Sequence, residues 1–340
     1  MRARLERRTL AFAQPLPTAF GTLERRELIV LRLEAPDGAQ GLGEAAPLTP
    51  YDGVELDDVE EQLGELPGLL REIGDARHPE LLAAAAQRGL GPHAVSALDV
   101  ALWDMAGRRA ARPLAALLAP DPLAAVAVNA TIAATAPDRA AELAAEAIVA
   151  GFRCLKLKVG KGDDGARLAA VRAATGPAAA IRLDANGAWS PPRAIGALRA
   201  MAGDVIELCE EPVHGVEGLR AVREALGGVP PIAMDETAAE PGAAASGATD
   251  AVCLKVAACG GVTGLLELAR AARGAGSEVY LASTFDGPVG VAAGLHAAAA
   301  LRVARPCGLA TLALFAEPDP LPPHAGSIAV PAGPGLGVMV

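Results

Sequence analysis

Charged and amide side chains recur near the ends of short apolar runs in the second half of this 340-residue chain. They are Lys156 and Lys158 in CLKLKV, Asp184 and Asn186 in RLDAN, Glu210 and Glu211 in CEEP, Asp235 and Glu236 in AMDET, and Lys255 in CLKVA. Successive groups lie roughly 20 to 26 residues apart, about the length of one strand and one helix. On parallel strands of a barrel, such side chains meet at the carboxyl ends.

Three of these residues, Asp184, Glu210 and Asp235, would bring carboxylates together at one point. An all-oxygen site suits a hard divalent cation such as Mg²⁺, with Mn²⁺ as an alternative. Zinc is disfavoured because no His or Cys is expected to join the cluster of three carboxylates. A single carboxylate is more simply explained as a salt bridge or helix cap, but three on successive strands favour a metal site.

The lysines predict proton transfer at carbon. Lys156 and Lys158 are two residues apart, so in a strand they share one face. If they stood alone, an exposed edge strand would be the better explanation, because lysine is usually exposed. Beside a cation, however, Lys158 is placed to remove a proton α to a substrate carboxylate, with Lys156 and the metal lowering its pKa. Lys255 would lie across the barrel mouth and stabilise the enolate.

The elements that must position these residues fall into two regions. The first predicts strands at LERRTLAFA, RELIVLRLEA and AQGLGEAAP, followed by helices from Asp57 to about Leu118. We take residues 1–120 as an α+β domain, because Gly, Pro and Asp cluster at its end. From Ala125, seven or eight strands alternate with helical stretches, which predicts a parallel sheet closed into a barrel.

The expected fold class is thus α/β, a TIM-like (β/α)7β barrel at residues 121–313 with an N-terminal α+β capping domain. Residues 314–340 are expected to return to the capping domain. The alternative for the second region is an open, doubly wound sheet, but no GxGxxG follows its first strand.

The amino-acid composition limits the classes of partner that this protein is expected to bind. The formal net charge of -10 disfavours nucleic acid and anionic membranes as partners. Five cysteines without a C-x-x-C pair indicate free thiols and a cytoplasmic protein. The N-terminus is predicted to be a strand rather than a signal peptide, and no apolar run has the length of a membrane span. The partner expected is a small-molecule carboxylate, whereas the sequence leaves the oligomeric state open.

Taken in order, the K-x-K, D-x-N, E-x-P, D-E and distal Lys motifs resemble the enolase superfamily, specifically its muconate-lactonizing subgroup. The resemblance covers essentially the whole chain, including a G-x-G-E segment at GLGEAAPL. It implies that Asp184, Glu210 and Asp235 are metal ligands and that Lys158 and Lys255 are acid/base lysines. Asn186, Glu211 and Glu236 would orient the ligands. The family pattern favours Glu210 over Glu211 as a ligand, while strand parity leaves that choice open.

Within the subgroup, the C-terminal segments ASTFDGPVGVAAGLHAAAAL and PCGLATLAL are similar to the o-succinylbenzoate synthases of menaquinone biosynthesis. This similarity implies dehydration of a succinyl-bearing cyclohexadiene carboxylate. Dipeptide epimerases of the subgroup carry an Asp-x-Asp after the last strands, which STFDGPVG lacks. Muconate cycloisomerases and N-succinylamino acid racemases share the lysines and ligands, so these activities stay open. A Schiff-base aldolase and a non-catalytic binding barrel are alternatives from other classes.

The resemblance also suggests substrate contacts. Phe20 would belong to a mobile capping loop, or to an ordinary hairpin connection. Thr131 and Gly261 are further candidates. Ser283 and Thr284 precede a Gly-Pro turn and a helix, whose free N–H groups are expected to hold a distal carboxylate of the substrate. Plain N-capping of that helix by Thr284 or Asp286 is the alternative.

Overall fold

The structure is a computed structural model that describes residues 1–18, 21–74, 77–133, 135–201, 203 and 205–339. An antiparallel sheet of β1 (Arg2–Thr18), β2 (Gly21–Glu34) and β3 (Gln40–Ala45) begins the chain, as predicted. Side chains of β2 alternate between two cores, which is why Leu28 to Leu31 are all buried. The central strand therefore lies between the helices of its own domain and the barrel.

The helices of the capping domain follow the sheet in the chain. They are α1 (Thr49–Asp52), α2 (Leu56–Gly64), α3 (Leu66–Ile73), α4 (His78–Gln87), α5 (Pro92–Arg109) and α6 (Leu114–Leu118). Helix α5 lies directly on β3, where a Cβ at Gly41 or Gly43 would collide with the carbonyl oxygens of Ala101 or Ala97. The two glycines thus permit the close approach of this helix and strand.

The second region begins with β4 (Ala125–Ala127) and continues as strands that alternate with helices. Its strands are β5 (Ala130–Ile132), β6 (Cys154–Lys158), β7 (Ala180–Asp184), β8 (Ile206–Glu210), β9 (Ile232–Met234), β10 (Ala251–Leu254) and β11 (Glu278–Leu281). In the described part of the chain these seven form one parallel sheet in sequence order. The helices are α7 (Pro137–Val149), α8 (Asp164–Thr175), α9 (Pro191–Ala200), α10 (Val216–Leu226), α11 (Val262–Gly274) and α12 (Pro288–Ala300).

The eighth position of the barrel is filled by single bridges rather than by the strand expected at GLATLAL. Cys307 bridges to Val128 and Gly308 bridges to Ala282, and these contacts connect the two edges of the curled sheet. Residues Leu312–Leu314 form a 3-10 turn instead of a strand. The alternative of an open, doubly wound sheet is therefore wrong.

The end of the chain contacts both regions. Strand β12 (Ser327–Ala329) pairs antiparallel with β4, and Leu336 donates its N–H to Asp104 Oδ1 of α5 at 2.7 Å. Phe315 stacks on Phe12 of β1 with ring centroids 4.8 Å apart. The domain boundaries proposed at residues 120 and 313 stay predictions.

Helix α12 is buried almost throughout and owes this to its alanines and glycines. His296 accepts a hydrogen bond from the Ala115 N–H at Nδ1 and has Leu336 O 3.2 Å from Nε2. Burial lowers the pKa of His296 to about 4, so the ring packs as a neutral group. Among the described helices, none is both long and apolar enough to span a bilayer.

Candidate active site

Strand register aligns the predicted residues along the carboxyl edge of the sheet. Lys158 of β6 pairs with Asp184 of β7, and Asp184 pairs with Glu210 of β8. Asp235 follows β9 and Lys255 follows β10 directly in the chain. Five neighbouring strands thus present Lys, Asp, Glu, Asp and Lys in that order, as the spacing of the motifs predicts.

The lysines and carboxylates form direct ion pairs. Lys156 Nζ lies 2.6 Å from Glu210 Oε1 and 2.7 Å from Asp184 Oδ2. Lys158 Nζ lies 2.5 Å from Asp184 Oδ2 and 2.7 Å from Asn186 Oδ1, and Lys255 pairs with Asp235. The carboxylates are buried, so their charges are balanced by ammonium groups rather than by water.

Neighbouring charges decide the direction in which the pKa values of Asp184 and Lys156 shift. Burial opposes ionisation of Asp184, but the ammonium groups of Lys156 and Lys158 outweigh it and lower the pKa of the carboxyl. Burial also disfavours the charged form of Lys156, yet Asp184 and Glu210 outweigh it and raise the pKa. Lys156 is therefore held as a fixed cation beside Lys158.

The structure separates the roles of Glu210 and Glu211. Glu210 faces Lys156, whereas Glu211 accepts the backbone N–H of Asp235 at 2.7 Å and that of Thr237 at 3.1 Å. Glu211 has a positive φ of 39°, which turns its side chain away from the ion-pair cluster and toward the next strand. These contacts hold the segment that carries Asp235, and the role of Glu211 in orienting a metal ligand stays a prediction.

Asn186 and Glu236 connect the two sides of the cluster. The Asn186 amide donates to Glu236 Oε1 at 2.8 Å and accepts from Lys158. Burial and the neighbouring Asp235 charge raise the pKa of Glu236 to about 8. The amide therefore fixes the position of the Lys158 ammonium relative to the β9 end of the site.

The donor set fits a hard divalent cation. Ligand atoms of Glu210, Asp235 and Cys253 lie within 4.8 Å of one another, and Asp184 joins them through Lys156. The expectation that no cysteine joins the carboxylates is wrong, because Cys253 precedes Lys255 by two residues and shares its face of the strand. Burial raises the pKa of the Cys253 thiol well above its usual range. The carboxylates contribute several oxygen atoms to the cluster, and these are the ligands that Mg²⁺ prefers.

Two tyrosines at the site were missed by the sequence reasoning. Tyr280 of β11 donates its hydroxyl to Glu210 Oε2 at 2.7 Å, and the Arg182 guanidinium lies 4.2 Å from its ring centroid. Tyr51 of α1 brings its ring within 5.1 Å of Lys255 Nζ. An aromatic hydroxyl in a buried strand such as EVYLAST needs a polar partner, and this was the signal available for Tyr280.

The residues that are expected to contact the substrate lie in different surroundings in the structure. Thr131 is exposed on β5 and pairs in register with Lys156. A Cβ at Gly261 would collide with Asp99, so this glycine packs against the capping domain. Ser283 Oγ lies 2.7 Å from Thr311 Oγ1, while Phe20 lies outside the described residues. The substrate roles of Phe20, Thr131, Gly261, Ser283 and Thr284 stay predictions.

One expectation about this region is wrong. The N–H groups at the start of α12 were expected to be free, but Gly287 donates its N–H to Glu44 Oε1 at 2.7 Å. The physical reason is that β3 of the capping domain places a buried carboxylate directly over the helix N-terminus, which attracts negative charge. A substrate carboxylate would have to displace this side chain.

Comparisons with known proteins agree with this geometry. Residues 139–340 match the family described as enolase C-terminal domain-like. Residues 3–119 match the mandelate racemase / muconate lactonizing enzyme N-terminal domain. The chain is 30% identical over 365 residues to the L-Ala-D/L-Glu epimerase of Bacillus subtilis, covering 100% of this chain and 96% of the relative.

Two further proteins that are similar to this chain have different activities. The o-succinylbenzoate synthase of Thermobifida fusca is 38% identical over 218 residues, which cover 60% of this chain and 66% of that protein. The solved structure of the dipeptide epimerase from Enterococcus faecalis, complexed with Mg and the dipeptide L-Leu-L-Tyr, superimposes with a TM-score of 0.90. It is 28% identical and covers 98% of each chain. Family matches over both regions, with the ordered lysines and carboxylates, show that this chain belongs to the enolase superfamily, in its muconate-lactonizing subgroup.

Proposed function

We propose that this protein is an enzyme that removes the proton α to a carboxylate of a small molecule, with Mg²⁺ or, alternatively, Mn²⁺ as cofactor. The observation that carries the proposal is the pairing of Lys158 with Asp184 and of Lys255 with Asp235, on either side of Glu210 in strand order. A non-catalytic barrel has no need for two lysines at the ends of a carboxylate row.

The cation would be held by Asp184, Glu210 and Asp235. When bound, it supplies positive charge to the substrate carboxylate and to the electron density released by proton removal. Lys156, fixed between Asp184 and Glu210, adds a permanent charge nearby. The preference of these oxygen ligands for a hard ion is the chemical basis of the assignment.

The chain's own residues account for the proton transfers. Lys158, oriented by Asp184 Oδ2 and Asn186 Oδ1, takes the α-proton on Nζ. Lys255 remains protonated and stabilises the negative charge that develops on the carboxylate oxygen. In a dehydration, Lys158 then returns its proton to the departing hydroxyl group as the C–O bond breaks, and water leaves from the same face.

We infer o-succinylbenzoate synthase activity, a syn dehydration of a succinyl-hydroxycyclohexadiene carboxylate in menaquinone biosynthesis, as the preferred specific function. The 38% identity to the Thermobifida fusca enzyme supports it. The loop STFDGPVG also has one acidic residue, Asp286, which is 3% exposed and has Thr284 Oγ1 3.3 Å away. A single aspartate does not reproduce the Asp-x-Asp expected of dipeptide epimerases at this point of the sequence.

Stereochemical inversion of an amino-acid derivative is the second candidate. The full-length similarity to the Bacillus subtilis epimerase favours it, and so does the presence of two lysines, because inversion needs a proton-transfer group on each face. N-succinylamino acids and dipeptides are the two substrate types for this activity. Both reactions begin with the same removal of an α-proton.

A substrate panel in D₂O separates these activities. The Mg²⁺-loaded protein is incubated with the succinyl-hydroxycyclohexadiene carboxylate, an N-succinylamino acid and the dipeptide L-Ala-L-Glu. We expect aromatic product from the first substrate, followed by ultraviolet absorbance, and weaker α-deuterium incorporation into the second. Deuterium incorporation into the dipeptide alone would show that the enzyme is an epimerase and not a dehydratase. Absence of exchange from every substrate would contradict the proposal as a whole.

A further inference from the structure

Glu44 of the capping domain makes an unusual contact across the domain boundary. It lies in β3, is 4% exposed, and accepts the Gly287 N–H at 2.7 Å through Oε1. The Gly290 N–H is also directed at this carboxylate. A Cβ at Gly287 or Gly290 would lie 2.6 or 2.7 Å from its oxygens, so both glycines make room for it. Glu44 thus occupies the position that a capping side chain of the helix itself would take.

Arg26 makes a second connection between the same segments. Its guanidinium is 3% exposed and donates to Ala46 O and Pro47 O, each at 2.7 Å. Its Nε donates to Phe285 O at 3.3 Å in the loop that follows β11. The two carbonyls of the capping domain lie shortly before α1, which carries Tyr51 at the site. The Arg26 side chain therefore connects the segment that precedes Tyr51 to the barrel loop that contains Phe285.

The Ser283–Gly287 loop, residues 283–287, depends on these outside contacts. Phe285 has a φ of +57°, a left-handed conformation that a bulky side chain rarely adopts. Its ring packs edge-on against Phe12 of β1, with centroids 5.7 Å apart. Such a backbone persists only where its surroundings hold it, and Arg26, Glu44 and Phe12 provide that support from the capping domain.

The environment of Glu44 contains several charges. Asp286, Arg26 and the His93–Asp52 pair surround it, and a cavity of about 10 Å³ is lined by Glu44, Asp286 and Ser96. Within the described residues, Glu44 Oε2 has no hydrogen-bond partner. Burial and the Asp286 charge raise the pKa of Glu44 to about 8. Its Oε1 can accept the Gly287 N–H whether or not the carboxyl group carries a proton.

We propose that Glu44 is the N-terminal cap of α12, supplied by the capping domain, and that Glu44 and Arg26 are positioning residues for the Ser283–Gly287 loop. This rests on the proposed function only in taking the loop as a substrate contact. The helix N-terminus is then used by the protein's own carboxylate. A second anionic group on the substrate binds elsewhere, and the loop contributes side chains rather than free N–H groups.

Hydrogen exchange in the Mg²⁺-loaded, substrate-free enzyme tests the cap independently of activity. Peptides covering residues 283–296 are compared in wild type, Glu44→Ala, Glu44→Gln and the control Glu27→Ala, which alters an exposed carboxylate of β2. We expect Glu44→Ala to accelerate exchange in these peptides on the order of tenfold, equivalent to losing one hydrogen bond. Glu44→Gln retains an acceptor and should restore slow exchange, while Glu27→Ala should have no effect.

Arg26→Lys provides a second variant in case Glu44→Ala does not fold. It keeps the charge but loses the three-carbonyl contact, so the same peptides should exchange faster. With any substrate that the enzyme turns over in the panel, Glu44→Ala and Arg26→Lys should each raise KM on the order of tenfold, with a smaller change in kcat. Unaltered exchange in residues 283–296 for both variants would overturn the positioning role, whether or not any substrate is turned over.

Discussion

At the scale of single residues, the site is defined by how each ammonium group is matched to a carboxylate. Lys158 and Lys255 pair with Asp184 and Asp235, while Lys156 bridges Asp184 and Glu210. Removing one partner of such a buried pair leaves an uncompensated charge. The lysines are chemically alike, so their different roles must come from the side of the substrate that each one faces.

The two lysines are expected to differ in isotope exchange. With the dehydration substrate, Lys158→Ala should abolish both α-proton exchange and product formation, because one group serves as base and then as acid. Lys255→Arg should slow turnover on the order of 10² while retaining charge. With an N-succinylamino acid in D₂O, it should exchange the α-hydrogen of one enantiomer only. Exchange of both enantiomers by Lys255→Arg, or of both by Lys158→Ala, would show that the two-faced arrangement is wrong. The exposed Lys161 provides a control as Lys161→Ala.

Substitutions at Glu210 and at its partner Tyr280 should weaken Mg²⁺ binding by different amounts. Glu210→Gln should weaken Mg²⁺ binding by more than tenfold because an anionic ligand is lost. Tyr280→Phe removes only the hydroxyl that fixes Glu210 Oε2, so we expect a smaller loss, about tenfold. Titration calorimetry measures both, with Glu278→Gln on the exposed edge of β11 as control. Equal affinities in Glu210→Gln and wild type would remove Glu210 from the ligand set.

At the scale of elements, backbone approach decides how the capping domain is assembled. Helix α5 packs on β3 so closely that the carbonyl oxygens of Ala97 and Ala101 occupy the space of a Cβ at Gly43 and Gly41. Glu44 immediately follows Gly43, so the same close packing determines where its carboxylate emerges. The position of the α12 cap therefore depends on a helix–strand contact within the other domain.

Gly43→Ala is expected to lower the free energy of unfolding by about 2 kcal/mol or more, since the added methyl group must displace backbone atoms. Thermal unfolding at fixed protein and Mg²⁺ concentration measures the loss. Gly64→Ala provides the matched control, because a Cβ there meets no atom within 4 Å and Gly64 ends helix α2. That control should be neutral or slightly stabilising. A wild-type melting temperature in Gly43→Ala would disprove the close-approach argument.

At the scale of the whole molecule, the interface between capping domain and barrel contains buried charge. Glu44, Asp286, Arg26, Asp52 and His93 lie together there, and burial raises the pKa of both Glu44 and Asp286. A carboxyl group whose pKa is higher in the folded state contributes stability in full below its ordinary pKa. That contribution is lost as pH rises through the folded-state value. Association of the two regions should therefore weaken as these groups ionise.

Glu44→Gln tests this dependence on pH. The glutamine keeps an acceptor for the Gly287 N–H but cannot ionise, so it avoids the cost of a buried charge. We expect the melting temperature of the variant, relative to wild type, to rise as pH increases from the ordinary carboxyl value of 4.5 to about 8 and to level off above it. Glu27→Gln serves as the exposed control. A constant difference between variant and wild type across that range would contradict the raised pKa.

The sequence by itself determined the fold class and predicted the lysines and carboxylates that the structure brings together. Residue types at regular spacing place the lysines and carboxylates at one end of a parallel sheet, because strand periodicity and barrel topology act on the chain locally and in order. The capping strands and the barrel were predictable in this way, whereas the family followed from the resemblance of the ordered motifs. The number of strand and helix units, with no GxGxxG after the first strand, favoured a closed barrel over an open, doubly wound sheet.

Only the tertiary structure decided which atoms meet across large separations in sequence. It turned Glu211 toward Thr237 and left Glu210 facing Lys156, a choice that strand parity left open because the backbone at Glu211 departs from strand geometry. It also placed Tyr280 on Glu210 and Glu44 over α12. These contacts depend on register, close packing and the meeting of two domains, and no local pattern of residues encodes those distances.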